Sequence, residues 1–153
     1  MRVHELGHLV LYVRDLERSR HFYANVLGFP EVAMPSGSPM ARVAVAFTTG
    51  RTHHELLLIE VGDNAAPIPA GRRVGMYHFG LKVGTTDDEL REVVATLRDH
   101  DVPLTGASDH TVTHSLYLED PDGNEIELYI DVQPELWRDD PAAVLAPTRP
   151  LRL

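Results

Sequence analysis

The clearest pattern in the chain is the alternation of apolar and polar residues in two runs near the C-terminal end. The runs cover residues 115–119 and 125–131, and they flank Asp-Pro-Asp-Gly-Asn at residues 120–124. Proline fixes φ and glycine or asparagine accepts a positive φ, so this pattern predicts a β-hairpin. A symmetric hairpin places Tyr117 opposite Glu127 on one face of the sheet. The other face is apolar and is expected in the core: Ile126, Leu128 and Ile130.

The first face of this hairpin also carries Glu125 and Tyr129, and it is too polar for a core. Alternation alone fits a solvated ribbon as well as a functional site, because antiparallel sheets commonly expose one face to water. The rest of the chain has to decide between these two interpretations.

The pattern of apolar and polar residues along the whole chain predicts two similar series of elements. In the first series, residues 7–13 form a strand, and a helix capped by Asp15 ends at Gly28. Three strands are then predicted at 30–34, 42–48 and 54–61, with a loop at 35–39. In the second series a strand at 77–83 precedes a helix that starts with the capping box Thr86 to Glu89. Its three further strands are predicted near 104–107, 113–119 and 125–131.

The order βαβββ therefore occurs twice, with an offset of about 70 residues, and indicates an internal repeat. The offset matches His8 with His78, and the His54-Glu55 region with Glu127. We predict an α+β fold with two tandem βαβββ modules that form a curved mixed β-sheet cleft, with the helices outside. One domain would span 1–132, as module one at 4–61, a linker at 62–75 and module two at 76–132. Residues 133–153 are expected to form a C-terminal tail with a short helical turn near Trp137.

Composition narrows the class of protein. The apolar and charged fractions, 43% and 24%, are ordinary for a soluble globular protein. No apolar run approaches a membrane span, and no signal-peptide pattern is present. A net charge of −9 argues against binding to nucleic acid or anionic membranes. The chain has no cysteine, which excludes disulfides and thiolate ligands and fits a cytoplasmic enzyme.

Three polar residues interrupt otherwise apolar strands at matching places of the repeat: His8, His78 and Glu127. Each alone is more commonly a packed histidine or an exposed glutamate than a metal ligand. Together they would form a two-histidine, one-carboxylate set that leaves coordination positions open on a divalent metal. Such a set suits non-heme Fe(II) and also Lewis-acid catalysis with other ions.

The repeat with these three residues resembles the vicinal oxygen chelate superfamily, which includes glyoxalase I, methylmalonyl-CoA epimerase, resistance proteins and type I extradiol dioxygenases. The resemblance covers residues 4–132. The stretch His110-x5-Leu116-Tyr117-x2-Asp120-Pro121-x-Gly123-x3-Glu127 is similar to the extradiol dioxygenase signature. It departs from that signature at Ser108, where Gly, Asn, Thr or an aliphatic residue is usual.

The resemblance implies roles for the matching residues. His8, His78 and Glu127 would be the metal ligands, with Fe(II) favoured and Mn(II), Ni(II), Co(II) or Zn(II) as alternatives. His110 and Tyr117 would hydrogen-bond the bound catecholate and the intermediate that follows it. His54, followed by Glu55-Leu56-Leu57, matches the acid/base histidine. The expected activity is cleavage of a small aromatic diol with dioxygen, and a second subunit completing the cleft would make the protein a homodimer.

Two other functions remain open at this point. A register slip of one residue would turn His54 away and Glu55 inward, which gives the four-ligand site of a glyoxalase- or epimerase-like lyase or isomerase. A resistance-type protein that sequesters a small molecule is the third possibility. The remaining histidines are expected to be exposed (His4, His21, His53 and His100) or packed beside Leu116 and Leu118 (His114).

Overall fold

The structure is a computed structural model that describes residues 1–35 and 37–153, and it divides into two compact units. Unit 1 spans residues 1–68 and unit 2 spans residues 69–153. The boundary lies within the segment predicted as a linker. In the described part of the chain, no helix has the length and hydrophobicity that crossing a membrane requires.

The described part of unit 1 contains a three-stranded sheet and one α-helix. In chain order its elements are β1 (Leu9–Val13), α1 (Leu16–His21), β2 (Ala44–Phe47) and β3 (Leu56–Glu60). A π-helical turn at Phe22–Val26 continues α1, and a 3-10 turn at Pro39–Arg42 precedes β2. The sheet order is β1-β3-β2, with β1 parallel and β2 antiparallel to β3.

The strand predicted at 30–34 is wrong, because only one bridge forms there, between Glu31 and Phe47. Prolines at 30 and 35 explain this, since proline cannot donate to a β-ladder and restricts the residue before it. The loop predicted at 35–39 includes Ser36, which lies outside the described residues.

The start of α1 is tied to the sheet through two acidic side chains. Asp15 Oδ1 accepts a hydrogen bond from Arg18 N at 2.8 Å, which confirms the predicted N-cap. Glu60 Oε2, at the end of β3, accepts from Leu16 N at 2.8 Å. The π-helical turn that follows α1 packs its buried aromatic residues against the sheet, where the rings of Tyr23 and Phe47 lie 6.0 Å apart.

Unit 2 contains a five-stranded mixed sheet in the order β4-β7-β6-β5-β8. Its elements are β4 (His78–Gly84), α2 (Asp87–Asp99), β5 (Leu104–Asp109), β6 (Thr113–Glu119), β7 (Glu125–Asp131), α3 (Pro134–Asp139) and β8 (Arg149–Pro150). β4 is parallel to β7, and the other pairs are antiparallel. The predicted capping box of α2 is confirmed, because Thr86 and Glu89 bond reciprocally.

The predicted hairpin is confirmed in both its register and its buried face. Tyr117 pairs with Glu127 across β6 and β7. Between them Asp120 Oδ1 accepts from Asp122 N and Asn124 N at 2.9 and 2.8 Å, and Gly123 has φ of 87°. The apolar face of β7 is fully buried at Ile126, Leu128 and Ile130.

The C-terminal tail is a structural part of unit 2. Its predicted helical turn is present as α3, and a 3-10 turn at Pro141–Leu145 follows. The chain then returns to the sheet, where Arg149 of β8 pairs with Asp109 of β5. The whole chain is thus α+β with mixed sheets and few helices, as predicted.

Candidate active site

Two of the predicted metal ligands are in contact on unit 2. His78 Nε2 lies 3.2 Å from Glu127 Oε2. On the other side of the ring, His78 Nδ1 lies 3.5 Å from Glu125 Oε1, and it makes no hydrogen bond within the described residues. The parallel pairing of β4 with β7 produces this arrangement, since it sets His78 opposite Glu125 and Gly80 opposite Glu127.

A chain of hydrogen bonds extends from Glu127 to the predicted site residues of β6 and the preceding turn. Tyr117 donates its hydroxyl proton to Glu127 Oε1 at 3.1 Å. His110 Nε2 lies 2.8 Å from the Tyr117 hydroxyl. A phenol has one proton to donate, so His110 must be the donor in this second bond. Unit 2 therefore brings together four of the residues predicted from the sequence: His78, Glu127, Tyr117 and His110.

Tyr117 is a persistent hydrogen-bond donor at neutral pH. Burial and the charge of Glu127 raise its pKa to about 12. The neighbouring Tyr129 also has a raised pKa, chiefly because it is buried. Phenolate formation at this site is therefore suppressed, first because the phenols are partly buried and then because a phenolate would lie near a carboxylate.

His110 is held by a tight turn between β5 and β6. The turn closes through His110 N to Thr113 O at 2.9 Å, and Asp109 Oδ1 accepts from Thr111 N at 2.7 Å. Thr111 has φ of 73°, an uncommon conformation for a β-branched residue. Such backbone strain persists only where the surroundings enforce it.

Sequence reasoning missed Gly80 as part of the site. A Cβ at this position would lie 3.2 Å from the Tyr129 ring, so glycine leaves room for that side chain. Glu127 Oε2 would be 3.9 Å away, an ordinary contact. A glycine inside an otherwise apolar strand is the signal that could have revealed it. Glu125 was also missed, although its alternation with Glu127 placed both on one face.

Unit 1 contains a cluster of three histidines just before β1 and β3. The ring of His8 lies 4.5 Å from that of His54 and 5.7 Å from that of His53. The Nδ1 atoms of His53 and His54 are 2.6 Å apart. Partial burial, with smaller contributions from His53 and His8, lowers the pKa of His54. A neutral imidazole at this position can accept a proton.

Glu55 carries out a structural task in unit 1. Its carboxylate accepts from Thr49 N at 2.5 Å, from Thr49 Oγ1 at 2.7 Å and from Arg51 Nε at 3.0 Å. Burial alone would raise the pKa of Glu55, but these bonds outweigh it and lower the pKa. The carboxylate thus organises the turn before β3.

The strand register changes the repeat equivalence of Glu55. Leu9 pairs with Leu56 in unit 1, and Phe79 pairs with Ile126 in unit 2, a separation of 47 residues in each case. In the same register Val10 pairs with Leu57, as Gly80 pairs with Glu127. The expectation that Glu55 is the repeat mate of Glu127 is therefore wrong. That mate is Leu57, while Glu55 corresponds to Glu125.

The three predicted ligands are divided between the units, with His8 in unit 1 and His78 and Glu127 in unit 2. Within the described residues of either unit, no group of three or more His, Asp or Glu side chains is arranged to hold a metal ion. The neighbouring imidazole and carboxylate of unit 2 form a nitrogen and oxygen donor pair that fits a divalent transition metal. The three-residue ligand set stays a prediction.

The remaining histidines are His4, His21, His100 and His114. The first three are exposed, as expected, and so is His53 of the cluster. His114 is half-buried, and its Nδ1 lies 2.6 Å from Asp87 Oδ1. It lines a polar pocket of about 340 Å³ at the start of α2.

Comparison with known proteins places this geometry in a family. The model of the Glyoxalase/Bleomycin resistance protein/Dioxygenase superfamily matches residues 5–128. The chain belongs to this superfamily, also called vicinal oxygen chelate, and the resemblance inferred from the sequence is confirmed.

The relatives within the superfamily differ in activity. Catechol-2,3-dioxygenase of Bacillus subtilis is 36% identical over 141 residues, which cover 90% of this chain and 46% of that protein. The chain thus spans about half the length of this relative. Lactoylglutathione lyase of Salmonella typhimurium is 31% identical over 128 residues, which cover 80% of this chain and 90% of that protein. A glyoxalase/dioxygenase crystal structure from Nostoc punctiforme matches with a TM-score of 0.68 at 20% identity, covering 83% of this chain and 90% of that one.

Proposed function

We propose that the protein is a metal-dependent extradiol-type dioxygenase that cleaves a catechol-like aromatic diol with dioxygen. The observation that carries this proposal is the continuous contact from His78 through Glu127 and Tyr117 to His110. The dioxygenase signature includes Glu127, Tyr117 and His110, and the relative from Bacillus subtilis is itself a catechol dioxygenase.

In this proposal His8, His78 and Glu127 hold the metal, with Fe(II) favoured over Mn(II). A divalent metal bound there would supply Lewis acidity and open coordination positions. Glu125 lies on the outer side of the His78 ring, 3.5 Å from Nδ1. Carboxylates in that position orient metal-binding histidines in other proteins and raise their basicity.

The protein's own proton-handling groups suit a diol substrate. His54 has a lowered pKa, so it is available as a neutral base for a diol hydroxyl. The Tyr117 hydroxyl stays protonated because its pKa is about 12, and it can donate to a developing oxyanion. His110 donates to the Tyr117 oxygen and so fixes the direction in which that proton points.

The apolar face of unit 1 is also consistent with an aromatic ligand. Val10 and Tyr12 of β1 are 43% and 71% exposed, and they lie on the same face of the sheet as the half-buried Leu57 and Ile59. An exposed apolar face bordered by histidines is typical of a ligand-binding surface.

Anaerobic reconstitution with Fe(II), followed by oxygen-uptake measurements with catechol, 3-methylcatechol and 2,3-dihydroxybiphenyl, tests the proposal. We expect oxygen consumption together with a yellow ring-cleavage product. Metal binding without uptake on any diol would contradict the dioxygenase assignment and favour a lyase or isomerase. Failure to bind any metal would favour a small-molecule-sequestering protein. Sedimentation of the purified protein would test the homodimer that belongs to this proposal.

A lyase or isomerase is the second candidate, because the lactoylglutathione lyase relative aligns over 90% of its own length. This function would use a fourth ligand from unit 1, and Glu55 is the candidate. The repeat mate of Glu127 is Leu57, and the Glu55 carboxylate is already bonded to Thr49 and Arg51. Both facts favour the three-ligand dioxygenase.

Two substitutions discriminate between the candidates. In a dioxygenase, His54→Asn lowers kcat/KM by about 100-fold with metal retained, since it removes a general base. Glu55→Gln then retains metal and most activity. In a lyase, Glu55→Gln loses the metal instead. His100→Asn, at an exposed position of unit 2, is the matched control and should change neither property.

A further inference from the structure

The C-terminal tail returns to the candidate site through β8. Asp109, at the end of β5, pairs with Arg149 in an antiparallel register. The next residues along this register are His110 on one strand and Thr148 on the other, so the pairing brings Thr148 beside His110. The expected contact is present, because Thr148 Oγ1 lies 3.3 Å from His110 Nδ1.

Which group donates in the bond between Thr148 and His110 can be worked out from Glu127, at the other end of the chain of hydrogen bonds. Glu127 is a carboxylate and can only accept, so the Tyr117 hydroxyl donates to it. His110 Nε2 must then carry a proton and donate to the Tyr117 oxygen. A neutral imidazole with a proton on Nε2 has an unprotonated Nδ1, which accepts a hydrogen bond from the Thr148 hydroxyl.

We propose that Thr148 is a positioning residue that holds the His110 ring by hydrogen-bonding its Nδ1, making the tail a functional part of the site. A single bond at Nε2 leaves the ring free to pivot about that contact. The second bond, on the opposite side of the ring, removes this freedom. The role in turnover rests on the proposed dioxygenase function, whereas the hydrogen bond itself does not.

The test uses three Thr148 variants and a matched control in the full chain. Thr148→Val and Thr148→Ala remove the hydroxyl, and Thr148→Ser keeps it. Thr105→Val removes the hydroxyl of an exposed threonine on β5, the strand that pairs with β8. This threonine makes no side-chain hydrogen bond in the described part of the chain. Thermal unfolding of all four variants confirms that each is folded.

Nitrogen-15 NMR of histidine-labelled, metal-free protein is the first measurement, with His110→Asn used to assign the His110 signals. In the wild type we expect His110 with a proton on Nε2 and an unprotonated, hydrogen-bonded Nδ1. The Nδ1 resonance should move towards that of a ring nitrogen without a donor in the Val and Ala variants. It should stay in place in Thr148→Ser and Thr105→Val. An Nδ1 proton in the wild type, or no movement in Val and Ala, would overturn the proposal.

Steady-state oxygen uptake with Fe(II) and catechol is the second measurement. We expect kcat to fall by about threefold to tenfold in Thr148→Val, the effect of one net hydrogen bond, with KM little changed. Thr148→Ser, which keeps the hydroxyl, should have the kcat of the wild type. An NMR shift with unchanged kcat would overturn the positioning role. An NMR shift in a protein that turns over no diol would overturn the dioxygenase assignment and leave the tail's hydrogen bond to His110 standing.

Discussion

The two units share a strand path and register but present different faces. In unit 1 the face beside His8 is apolar, with Val10 and Tyr12 exposed on β1. In unit 2 the corresponding positions are Gly80 and Lys82, and Lys82 pairs with Asp131 at 2.6 Å. One backbone pattern therefore carries an apolar face in one copy and a polar, hydrogen-bonded face in the other.

The turns before the last strand of each repeat show the same divergence. In unit 2 the turn is held by Asp120, at its first residue, so Glu127 is left to contact His78 and Tyr117. In unit 1 the turn is held by Glu55, at its last residue, through Thr49. The Glu55 carboxylate is therefore bonded within its own turn, whereas the Glu127 carboxylate contacts a histidine and a tyrosine.

The largest effect is expected from substituting Glu127. This carboxylate distinguishes the polar face of unit 2 from unit 1, where Leu57 occupies the same position of the repeat. Glu127→Gln should lower metal content and oxygen uptake by more than about 100-fold, because the loss of a ligand exceeds the loss of an outer partner. Metal analysis and oxygen uptake measure it. Glu119→Gln, an exposed glutamate on the same hairpin, is the control. Full metal content in the Glu127 variant would refute the assignment of this residue as a ligand.

The next largest effect is the difference in stability lost when the carboxylate of each turn is substituted. Asp120→Ala should lower the free energy of unfolding by about 2–4 kcal/mol, because it leaves buried donors of the turn without a charged acceptor. Glu55→Gln should lower the free energy of unfolding by less, because the turn in unit 1 is more exposed and the amide oxygen of glutamine can still accept hydrogen bonds. Urea denaturation measures both. Equal losses would show that the two turns are equivalent.

A smaller effect is expected from the hydroxyl that links Glu127 to His110. Tyr117→Phe should lower kcat by about 10-fold while metal stays bound. The folded pKa of about 12 is above the value of about 10 for unfolded tyrosine. The stability contributed by Tyr117 is therefore fully present below about pH 10 and is lost as pH rises through about 12. Ultraviolet titration should show one phenol near 12 in the wild type that the variant lacks.

The smallest effect concerns the histidine cluster of unit 1 in metal-free protein. The pKa of His54 is lowered, mainly by burial, so the unfolded chain binds more protons below about pH 6.5. Stability should fall as pH drops from about 6.5 through the lower folded pKa. His54→Asn should reduce this acid sensitivity. Thermal unfolding of the variant and the wild type across this pH range measures it, and an identical pH dependence of the two would disprove the effect.

Local patterns predicted the elements of unit 2 better than those of unit 1. The strands at 113–119 and 125–131 and the capping box at Thr86 have strong local signals, in alternation and in cap chemistry. The strand at 30–34 failed because its flanking prolines remove ladder donors, and apolar content alone cannot reveal that. Periodicity also cannot show where a break such as the π-helical turn at Phe22–Val26 interrupts a helix.

The sequence by itself determined the repeat, the α+β class, the hairpin and the family, because these depend on periodicity, turn chemistry and motif spacing along the chain. It also singled out His110, Tyr117 and Glu127. Only the tertiary structure decided that Leu57 is the counterpart of Glu127, and that Thr148 reaches His110. Strand register and the return of a distant tail are set by pairing between segments far apart in the chain, and no local pattern encodes that pairing.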